Sequence, residues 1–329
     1  MKQRRTIVIT MGDPKGIGPE VIVKALASDE IRKLADGFTF LVVGSSKALS
    51  EAARIAKADC QPAILKMPEI PSAESNNIFL YEPVPADKSH SGLDYILSGI
   101  EAMSAKAAAL VTAPVSKNAI RKSGCDFIGH TELLAQKTLS RKVTMMFTAP
   151  KLIVSLVTRH IAYKKVLLYL TTERILNTIE QTDEGLRKYL GIAQPRIAVC
   201  GLNPHSGEGR AFGNEESRIV EPAIKLANEK KINCSGPFPA DSIFHRAIKG
   251  EFDAVVALYH DQGLIPIKTM AFNKAVQVTL GLPFIRTSPA HGAAYDIAGK
   301  GIANPASMIE AIKLAAAMAS QSGSLFGNN

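Results

Sequence analysis

Three apolar, strand-like segments of this sequence each end in a histidine. They are LIVSLVTRH, which ends at His160, RIAVCGLNPH, which ends at His205, and FDAVVALYH, which ends at His260. In open α/β sheets ligands bind just beyond the carboxyl ends of the strands, so imidazoles placed there could meet. Imidazole binds Zn, Co, Ni or Fe, and three protein nitrogens leave coordination positions open for substrate oxygens. Each histidine alone fits an ordinary loop residue, but the repeated placement favours a divalent-metal site.

Two carboxylates accompany these histidines. Glu208 follows His205 by three residues, and Asp261 is adjacent to His260. A carboxylate beside a ligand imidazole can orient the ring, or it can act as a general base. For Glu208, a simple loop ion pair with Arg210 is an equally good interpretation.

Other residues are suited to binding anions. The GHTE run at residues 129–132 is typical of a helix start, with Thr131 as the cap and His130 at the positive end of the helix. Lys268 and Arg286 are predicted to be fixed cations that follow strands. Arginine can hold a carboxylate or phosphate through two parallel hydrogen bonds, whereas lysine acts as a point charge.

A glycine-rich turn, TMGDPKGIGPE, occupies residues 10–20. It joins a strand to a helix start, and its backbone N–H groups could cradle a phosphate. Its spacing is G-x-x-x-G-x-G, which is neither the Rossmann fingerprint nor the P-loop. Alone, the motif indicates only a tight turn.

These motifs lie in a chain that alternates strand-like and helical segments. TIVIT, FTFLVVG, AALVTAPVSK, VTMMFTAP and AVQVTLGLPF are further predicted strands, and helical patterns separate many of them. Continuous apolar strands alternating with helices indicate sheets covered on both faces, hence an α/β fold. The 329 residues are enough for two domains, and a boundary is expected near residues 125–130.

Composition disfavours several classes of protein. The net charge is +9, but the basic residues are scattered, tryptophan is absent and aromatic residues are only 6%, so nucleic acid is not an expected partner. The positive charge would suit a phosphorylated substrate and a dinucleotide. The four cysteines form no C-x-x-C pair, which favours reduced thiols. With neither a signal peptide nor a membrane span of about 18 apolar residues, we expect a cytoplasmic protein without a membrane partner.

Seven ordered motifs resemble one family, the 4-hydroxythreonine-4-phosphate dehydrogenases. They are MGDPKGIGPE, TAPVSK, GHTE, GLNPHSGEG, GPFPAD, YHDQG and TLGLPFIRTS followed by HG, and the resemblance extends from about residue 6 to the C-terminus. It implies an α/β fold of the isocitrate/isopropylmalate dehydrogenase type, with two α/β/α lobes and the active site in the cleft between them. It also implies dependence on NAD and a divalent metal (Zn, Mg or Co), and a homodimer whose subunits share the active site.

The resemblance assigns roles residue by residue. It implies metal binding by His160, His205 and His260, and substrate binding by His130, Thr131, Lys268, Gln277 and Arg286. Gln277 stands where the family pattern has asparagine, a difference that concerns the choice of substrate and not the metal site. The base could be Asp241, Asp261 or Lys268; the sequence does not rank them.

The C-terminal run HGAAYDIAGKGIANPASMI resembles the dinucleotide loop of isocitrate and isopropylmalate dehydrogenases. The resemblance places six residues near the cofactor, and Asp296 would accept hydrogen bonds from ribose hydroxyls and repel a 2′-phosphate, which favours NAD over NADP. A glycine-rich surface loop is the alternative. The six residues are His291, Gly292, Ala293, Ala294, Asp296 and Asn304.

The two lobes are expected at residues 1–128 plus 288–329 and at residues 129–287.

The implied reaction is oxidation of 4-phosphooxy-L-threonine to a β-keto acid that decarboxylates, within pyridoxal 5′-phosphate biosynthesis. A sister enzyme acting on D-threonate or D-erythronate 4-phosphate is the alternative that Gln277 supports. An acyl-phosphate transferase or a non-catalytic metabolite-binding protein would need neither the three histidines nor the loop with Asp296. We therefore expect a small phosphorylated hydroxy acid as the substrate.

Overall fold

The structure, a computed structural model, describes residues 4–66, 77–84 and 91–320. The described chain divides into two compact units, residues 4–140 with 282–320 and residues 141–281. Residues 129–140 and 282–287 therefore belong to the first unit, whereas the sequence led us to expect them in the second lobe. The expected α/β class is confirmed in both units.

The strands are mostly short and buried, as the apolar runs predict. Seven of them, β2, β5, β6, β7, β8, β10 and β11, lie within the apolar runs quoted above, and β1 starts one residue before its run, TIVIT. The described strands are β1 (Arg5–Thr10), β2 (Phe38–Val43), β3 (Ala63–Leu65), β4 (Ile78–Tyr81), β5 (Ala109–Thr112), β6 (Thr144–Ala149), β7 (Leu152–Leu156), β8 (Ile197–Cys200), β9 (Cys234–Phe238), β10 (Ala254–Ala257), β11 (Val276–Leu280) and β12 (Ile285–Pro289).

Helices connect most of these strands, as expected for parallel pairing. The described α-helices are α1 (Gly18–Leu26), α2 (Asp29–Arg32), α3 (Ser46–Ala56), α4 (Ser91–Ser104), α5 (Lys117–Lys122), α6 (His130–Lys137), α7 (Val166–Tyr169), α8 (Thr172–Leu190), α9 (Glu221–Glu229), α10 (Ala240–Ile248), α11 (His260–Ala271) and α12 (Ala306–Ser320). A π-helical turn at Glu216–Val220 precedes α9.

The first unit contains a parallel sheet with the strand order β3-β4-β2-β1-β5-β12. On β1, the side chains of Ile7, Val8 and Ile9 have no exposed surface. Helices α4 and α12 pack against strands of this sheet. Burial of successive residues on both faces of β1 explains why TIVIT is a continuous apolar run and not an alternating one.

The second unit has a mixed sheet with the order β11-β6-β7-β10-β8-β9. Strand β6 is antiparallel to β11 and to β7, while β7, β10, β8 and β9 pair in parallel. Helix α11 packs against β7 and β10. A Cβ atom on Gly263 would lie 2.6 Å from the Leu156 side chain, so only glycine lets α11 approach β7 this closely.

All four cysteines are free thiols, and Cys60, Cys200 and Cys234 are buried, as the sequence predicts. Among the helices of the described ranges, none combines the length and the apolar character that crossing a membrane would require.

Candidate active site

The second unit places the ends of the three histidine-bearing strands side by side. Strand β10 lies between β7 and β8 and is parallel to both, so the three carboxyl ends share one edge of the sheet. His160 follows β7, His260 follows β10 and His205 follows β8. The ring centroids of His160 and His260 are 5.4 Å apart. The sheet order therefore delivers the histidines to the edge where ligands bind in α/β proteins.

Hydrogen bonds tie these strand ends to one another. The buried side chain of Gln262 accepts from Leu258 N and donates to Gly201 O, both at 2.7 Å. These two bonds join the end of β10 to the end of β8. Thr158 Oγ1 donates to Leu258 O at 2.8 Å and thereby joins the end of β7 to the same point. The loops that carry the histidines are consequently fixed relative to one another.

His260 begins helix α11 and contacts the neighbouring carboxylate. Its Nδ1 lies 2.7 Å from Asp261 Oδ1, and the Asp261 side chain is mostly exposed. With Nδ1 engaged, Nε2 is the nitrogen left for a metal. The contact is the carboxylate–imidazole arrangement that orients ligand histidines in metal sites.

His205 lies in a run of left-handed backbone. Residues 205–210 all have positive φ angles, 50° at His205, 38° at Glu208 and 80° at Arg210. Non-glycine residues adopt this region rarely, so the surrounding structure must hold the turn in place. Gly207 faces inward, where a Cβ atom would lie 2.8 Å from Glu216 Oε2.

Glu216 is the buried carboxylate that supports this turn. Its Oε1 accepts hydrogen bonds from Leu202 N at 2.9 Å and Asn203 N at 2.7 Å, while Oε2 accepts from Asn203 Nδ2 at 3.0 Å. It lies in the π-helical turn before α9, a type of irregularity found often at functional sites. The sequence analysis missed Glu216, since an acidic residue in a helical segment is usually exposed.

The donor set suits a divalent metal in part. Two imidazoles on one tetrahedral metal have ring centroids about 5 Å apart, because each centroid lies about 3 Å from the ion. The His160–His260 separation of 5.4 Å matches that arrangement. Within the described residues, no three His, Cys, Asp or Glu side chains are already arranged to hold a metal. The His205 ring centroid lies 6.2 Å from that of Phe212. The His160–His260 pair fits a metal ion, and His205 would have to supply the third protein ligand.

The first unit contains a separate group of cations. Arg286 lies within strand β12, not after a strand as predicted, and is only 2% exposed. One guanidinium nitrogen donates to Thr112 Oγ1 at 2.6 Å. Burial lowers the pKa of Arg286 to about 9, and the nearby Glu132 carboxylate opposes that change. A buried arginine on β12 that reaches the end of β5 is a good candidate for binding an anionic group.

His130 and Thr131 lie at the start of α6, close to this arginine. The helix begins at His130 with Gly129 as its N-cap, so the prediction that Thr131 caps it is wrong; Thr131 is buried in the first turn. His130 Nε2 is buried and has no hydrogen-bond partner among the described residues. Burial, together with the positive charges of Arg286 and Lys117, holds the pKa of His130 well below its usual range. The imidazole is therefore neutral at physiological pH.

Lys117 is the second cation beside His130, and the sequence analysis did not assign it a role. It begins α5, where Ser116 accepts a hydrogen bond from Ala119 N as the N-cap. A Cβ atom on Gly129 would lie 3.4 Å from Lys117 Nζ, which shows how near the ammonium group is to the start of α6. The TAPVSK motif was the signal available in the sequence.

The depressed pKa of His130 predicts a pH dependence of stability. Above the unfolded-state pKa of about 6.5, histidine is neutral in both states and contributes nothing. Below it, the unfolded chain binds a proton that the folded protein does not, so the free energy of unfolding should fall, by up to about 1.4 kcal/mol per pH unit. Urea denaturation between about pH 7.5 and 5.5 would measure this slope.

His130→Gln should flatten that slope, whereas His245→Gln, at an exposed position on α10, should leave it unchanged. An identical slope in wild type and His130→Gln would show that His130 is not the titrating group.

The remaining predicted residues of the second unit are more dispersed. Lys268 is exposed within α11, not after a strand as predicted, and its Nζ lies 5.9 Å from the centroid of the Phe272 ring. Asp241 is exposed in the first turn of α10. Gln277 is buried on β11, and its Nε2 donates to Thr279 Oγ1 at 2.9 Å.

The C-terminal segment at residues 291–304 packs on the glycine-rich turn of the first unit. Ile17 N donates to Ala293 O at 2.9 Å, and a Cβ atom on Gly16 would lie 2.9 Å from the same oxygen. Tyr295 donates its hydroxyl hydrogen to the Asp13 carboxylate. This close approach explains the glycine at position 16 without a phosphate, so the turn supports the C-terminal segment.

That segment presents groups suited to a nucleotide. Asp296 and Asn304 are exposed, and a Cβ atom on Gly292 would meet nothing within 4 Å. His291 Nδ1 lies 3.1 Å from Gly292 O. An accessible carboxylate and open space above a glycine fit a ribose and its adjoining groups.

The fold defines the class of protein. The chain is similar in structure to isocitrate dehydrogenase from Methylococcus capsulatus, with a TM-score of 0.50 at 15% identity over 94% of this chain and 84% of that one. A β-decarboxylating dehydrogenase from Thermococcus kodakarensis gives a TM-score of 0.52 at 14% identity, over 97% and 84% of the two chains. The fold is therefore of the isocitrate/isopropylmalate dehydrogenase type.

Sequence similarity identifies one family within this fold type. The family model described as pyridoxal phosphate biosynthetic protein PdxA matches residues 36–315. A 4-hydroxythreonine-4-phosphate dehydrogenase from Desulforapulum autotrophicum is 42% identical, over 97% of both chains. A crystal structure of that enzyme from Klebsiella pneumoniae has a TM-score of 0.81 at 36% identity, over 96% of this chain and 99% of that one. The chain belongs to this family of dehydrogenases in pyridoxal phosphate biosynthesis, as the motifs predict.

The family also contains relatives with another substrate in their names. A Fusobacterium nucleatum protein with the provisional name D-threonate 4-phosphate dehydrogenase is 40% identical, over 95% of this chain and 97% of its own.

Proposed function

We propose that the protein oxidises 4-phosphooxy-L-threonine with NAD and a divalent metal. The product is a β-keto acid that decarboxylates to 3-amino-2-oxopropyl phosphate. The observation that carries the proposal is the alignment of β7, β10 and β8, whose neighbouring carboxyl ends bear His160, His260 and His205. A family dehydrogenase with imidazoles at this edge is suited to alcohol oxidation assisted by a metal.

His160 and His260 would hold the metal (Zn, Mg or Co), with His205 completing the set. A metal bound there supplies Lewis acidity toward the substrate hydroxyl and, later, toward the enolate formed on loss of CO₂. Asp261 keeps the His260 ring in the tautomer whose Nε2 can bind a metal, through the 2.7 Å contact with Nδ1. Glu216 keeps the turn that carries His205 in its left-handed conformation.

The first unit would bind the anionic groups of the substrate. Arg286 and Lys117 supply positive charge, and neutral His130 can donate one hydrogen bond to a phosphate or carboxylate oxygen. Thr131 lies in the first turn of α6, where backbone N–H groups favour an anion. In a neutral form His130 also adds no further positive charge beside the buried Arg286 and the half-buried Lys117.

The proton acceptor for the hydroxyl remains a choice among Asp241, Asp261 and Lys268. Asp261 is engaged with His260 Nδ1, so orienting that ring is the role its geometry supports. Asp241 and Lys268 are exposed and able to exchange protons with solvent. Gln277 would contact the substrate through an amide that Thr279 holds in place.

The cofactor would be NAD, bound by the segment at residues 291–304. The exposed Asp296 carboxylate would accept hydrogen bonds from the ribose hydroxyls and repel the 2′-phosphate of NADP. His291, Gly292, Ala293, Ala294 and Asn304 would line the adenosine half of the cofactor. We place the protein in the cytoplasm, where four free cysteines remain reduced.

We further propose that the protein is a homodimer whose subunits share the active site. Large apolar side chains of the second unit are exposed near the histidine loops: Tyr163 and Leu168 are each 77% exposed, and Phe212 is 51% exposed. Ile265 and Phe272, at 63% and 66%, add to this surface on and beside α11. Clusters of exposed apolar side chains, unlike single ones, mark protein–protein contacts. A second subunit covering them would also bring further groups to the histidines.

A second candidate substrate is D-threonate or D-erythronate 4-phosphate. Gln277 stands where the family pattern has asparagine, and it is buried and hydrogen-bonded to Thr279. These substrates differ from 4-phosphooxy-L-threonine in carrying a hydroxyl in place of the amino group, so one contacting amide could discriminate between them. The relative named for D-threonate 4-phosphate adds weight to this alternative.

A single assay separates the candidates. Protein stripped of metal is supplied with Zn²⁺, Mg²⁺ or Co²⁺ and with NAD, and NADH absorbance is followed with 4-phosphooxy-L-threonine or D-threonate 4-phosphate. We expect metal-dependent turnover of the amino substrate. Preference for the sugar acid would make Gln277 a specificity residue, and Gln277→Asn should then shift the preference back. Turnover that needs no metal would contradict the proposal.

A further inference from the structure

An ion pair on α1 binds the main chain of the C-terminal segment. Glu20 and Lys24 are one helical turn apart, and Lys24 Nζ lies 2.7 Å from Glu20 Oε1. The Glu20 side chain is only 3% exposed. Exposed pairs at this spacing stabilise a helix weakly, and burial of a carboxylate is costly unless its oxygens are satisfied. The partners of this pair therefore decide what it does.

Those partners are the backbone groups of Gly301 and Ala303. Glu20 accepts from Gly301 N at 3.2 Å and from Ala303 N at 2.8 Å. Lys24 Nζ donates to the carbonyl oxygens of Gly301 and Ala303, both at 2.8 Å. One ion pair thus satisfies both N–H and both C=O groups of two alternate residues. Hydrogen bonds to charged groups are stronger than neutral ones, so the pair acts as a clamp.

The other end of the segment is held by the same part of the chain. Ile17 N donates to Ala293 O, and Tyr295 donates to the Asp13 carboxylate. Residues 293–303 are therefore attached at both ends to residues 13–24. Asp296 lies between the two attachments and stays exposed. The arrangement fixes a loop while leaving its middle accessible.

We propose that Glu20 and Lys24 are positioning residues that preorganise residues 291–304 for the adenosine half of the dinucleotide. Neither residue touches the cofactor; both act through the main chain of Gly301 and Ala303. A loop already held in its bound conformation loses less conformational entropy on binding, which raises affinity. This inference rests on the proposed function, because it assumes that the segment binds the cofactor.

The alternative is that Glu20 serves only α1, as an acidic residue in its first turn. In that case its loss would weaken the helix without loosening the distant segment. Hydrogen exchange separates the two roles, since it reports opening residue by residue.

The experiment compares wild type with Glu20→Gln and Lys24→Met. Glutamine keeps one acceptor oxygen but removes the charge, and methionine keeps most of the aliphatic stem but removes the donor. In the protein without cofactor, we expect the amides of Gly301 and Ala303 to exchange about tenfold faster. We expect the Kd for NADH, measured by fluorescence, to rise about tenfold in each variant.

Arg187→Met is the matched control. Arg187 and Asp183 form an i,i+4 pair at 2.8 Å on α8 of the second unit. Removing this pair should leave both the exchange of residues 301–303 and the Kd for NADH unchanged.

Unchanged exchange at Gly301 and Ala303 in both variants would overturn the clamp. Faster exchange with an unchanged Kd for NADH would overturn the positioning role. If the wild-type protein does not bind NADH, the proposed NAD-dependent function is itself contradicted. That outcome is seen in the wild type alone and is therefore distinct from a failure of the clamp. If Lys24→Met unfolds, because it leaves the buried Glu20 carboxylate without its cation, Glu20→Gln provides the same test, since Lys24 then keeps both carbonyl acceptors.

Discussion

His205→Ala should reduce turnover by at least about 10³-fold, since Lewis-acid stabilisation amounts to several kcal/mol and each 1.36 kcal/mol is tenfold in rate. His205 lies in a left-handed turn that Glu216 stabilises by accepting hydrogen bonds from Asn203 N and Nδ2. The turn itself should therefore survive loss of the imidazole. NAD binding should persist, because the segment at residues 291–304 belongs to the first unit. Turnover with saturating Zn²⁺, bound metal per chain and the Kd for NADH are the measurements.

His245→Ala is the control for this variant. His245 is an exposed histidine of the second unit, on α10, and follows no strand. Its replacement should change neither metal content nor rate. Full activity of His205→Ala with unchanged metal content would remove His205 from the metal site and leave only the His160–His260 pair.

Arg286→Met should raise the KM for the phosphorylated substrate by about 100-fold or more, given about 1.5–3 kcal/mol for each hydrogen bond to a charged group. Arg286 is buried on β12 with its pKa lowered to about 9, so its charge is poorly solvated in the protein. The lowered pKa means that burial disfavours the charged form more than Glu132 favours it, so removing the charge relieves a desolvation cost. We therefore expect activity to fall while the melting temperature is unchanged or higher.

Lower activity together with an unchanged or higher melting temperature would distinguish anion binding by Arg286 from a structural role. If Arg286 were needed for the fold, through its bond to Thr112, the methionine variant would melt at a lower temperature. Arg286→Lys should recover part of the affinity, because lysine supplies the charge without the planar fork. Lys313→Met, which removes a surface cation of the same unit, should have no effect on KM. An unaltered KM in Arg286→Met would exclude it from the substrate site.

The sequence alone determined the fold class and the places where chemistry could occur. Runs such as LIVSLVTRH record burial on both faces of a strand, and the residue that follows such a run must lie at a sheet edge. This is why His160, His205 and His260 could be singled out before the structure was known. Local pattern failed at β12 (IRTSP), which is polar but buried, because position in the sheet and not composition makes it a strand.

Local sequence pattern also failed to predict two helix boundaries. Thr131 was predicted to be the cap because threonine commonly is one, but Gly129 takes that position and α6 starts two residues earlier than that prediction implies. Lys268 was expected in a loop after a strand, whereas α11 continues past Pro266 and includes it. Propensity is a weak prior, and tertiary packing determines where an element ends.

Only the tertiary structure decided which distant residues meet. Strand β10 follows β8 in the chain yet inserts between β7 and β8, and that order alone makes the three histidine-bearing ends adjacent. Lys117 comes close to His130, and Glu216 supports the turn before it, through contacts that no local periodicity encodes. The clamp of Glu20 and Lys24 on Gly301 and Ala303 joins residues about 280 positions apart. Sequence patterns indicate whether each residue is buried or exposed. Packing and long-range hydrogen bonds determine which residues contact one another.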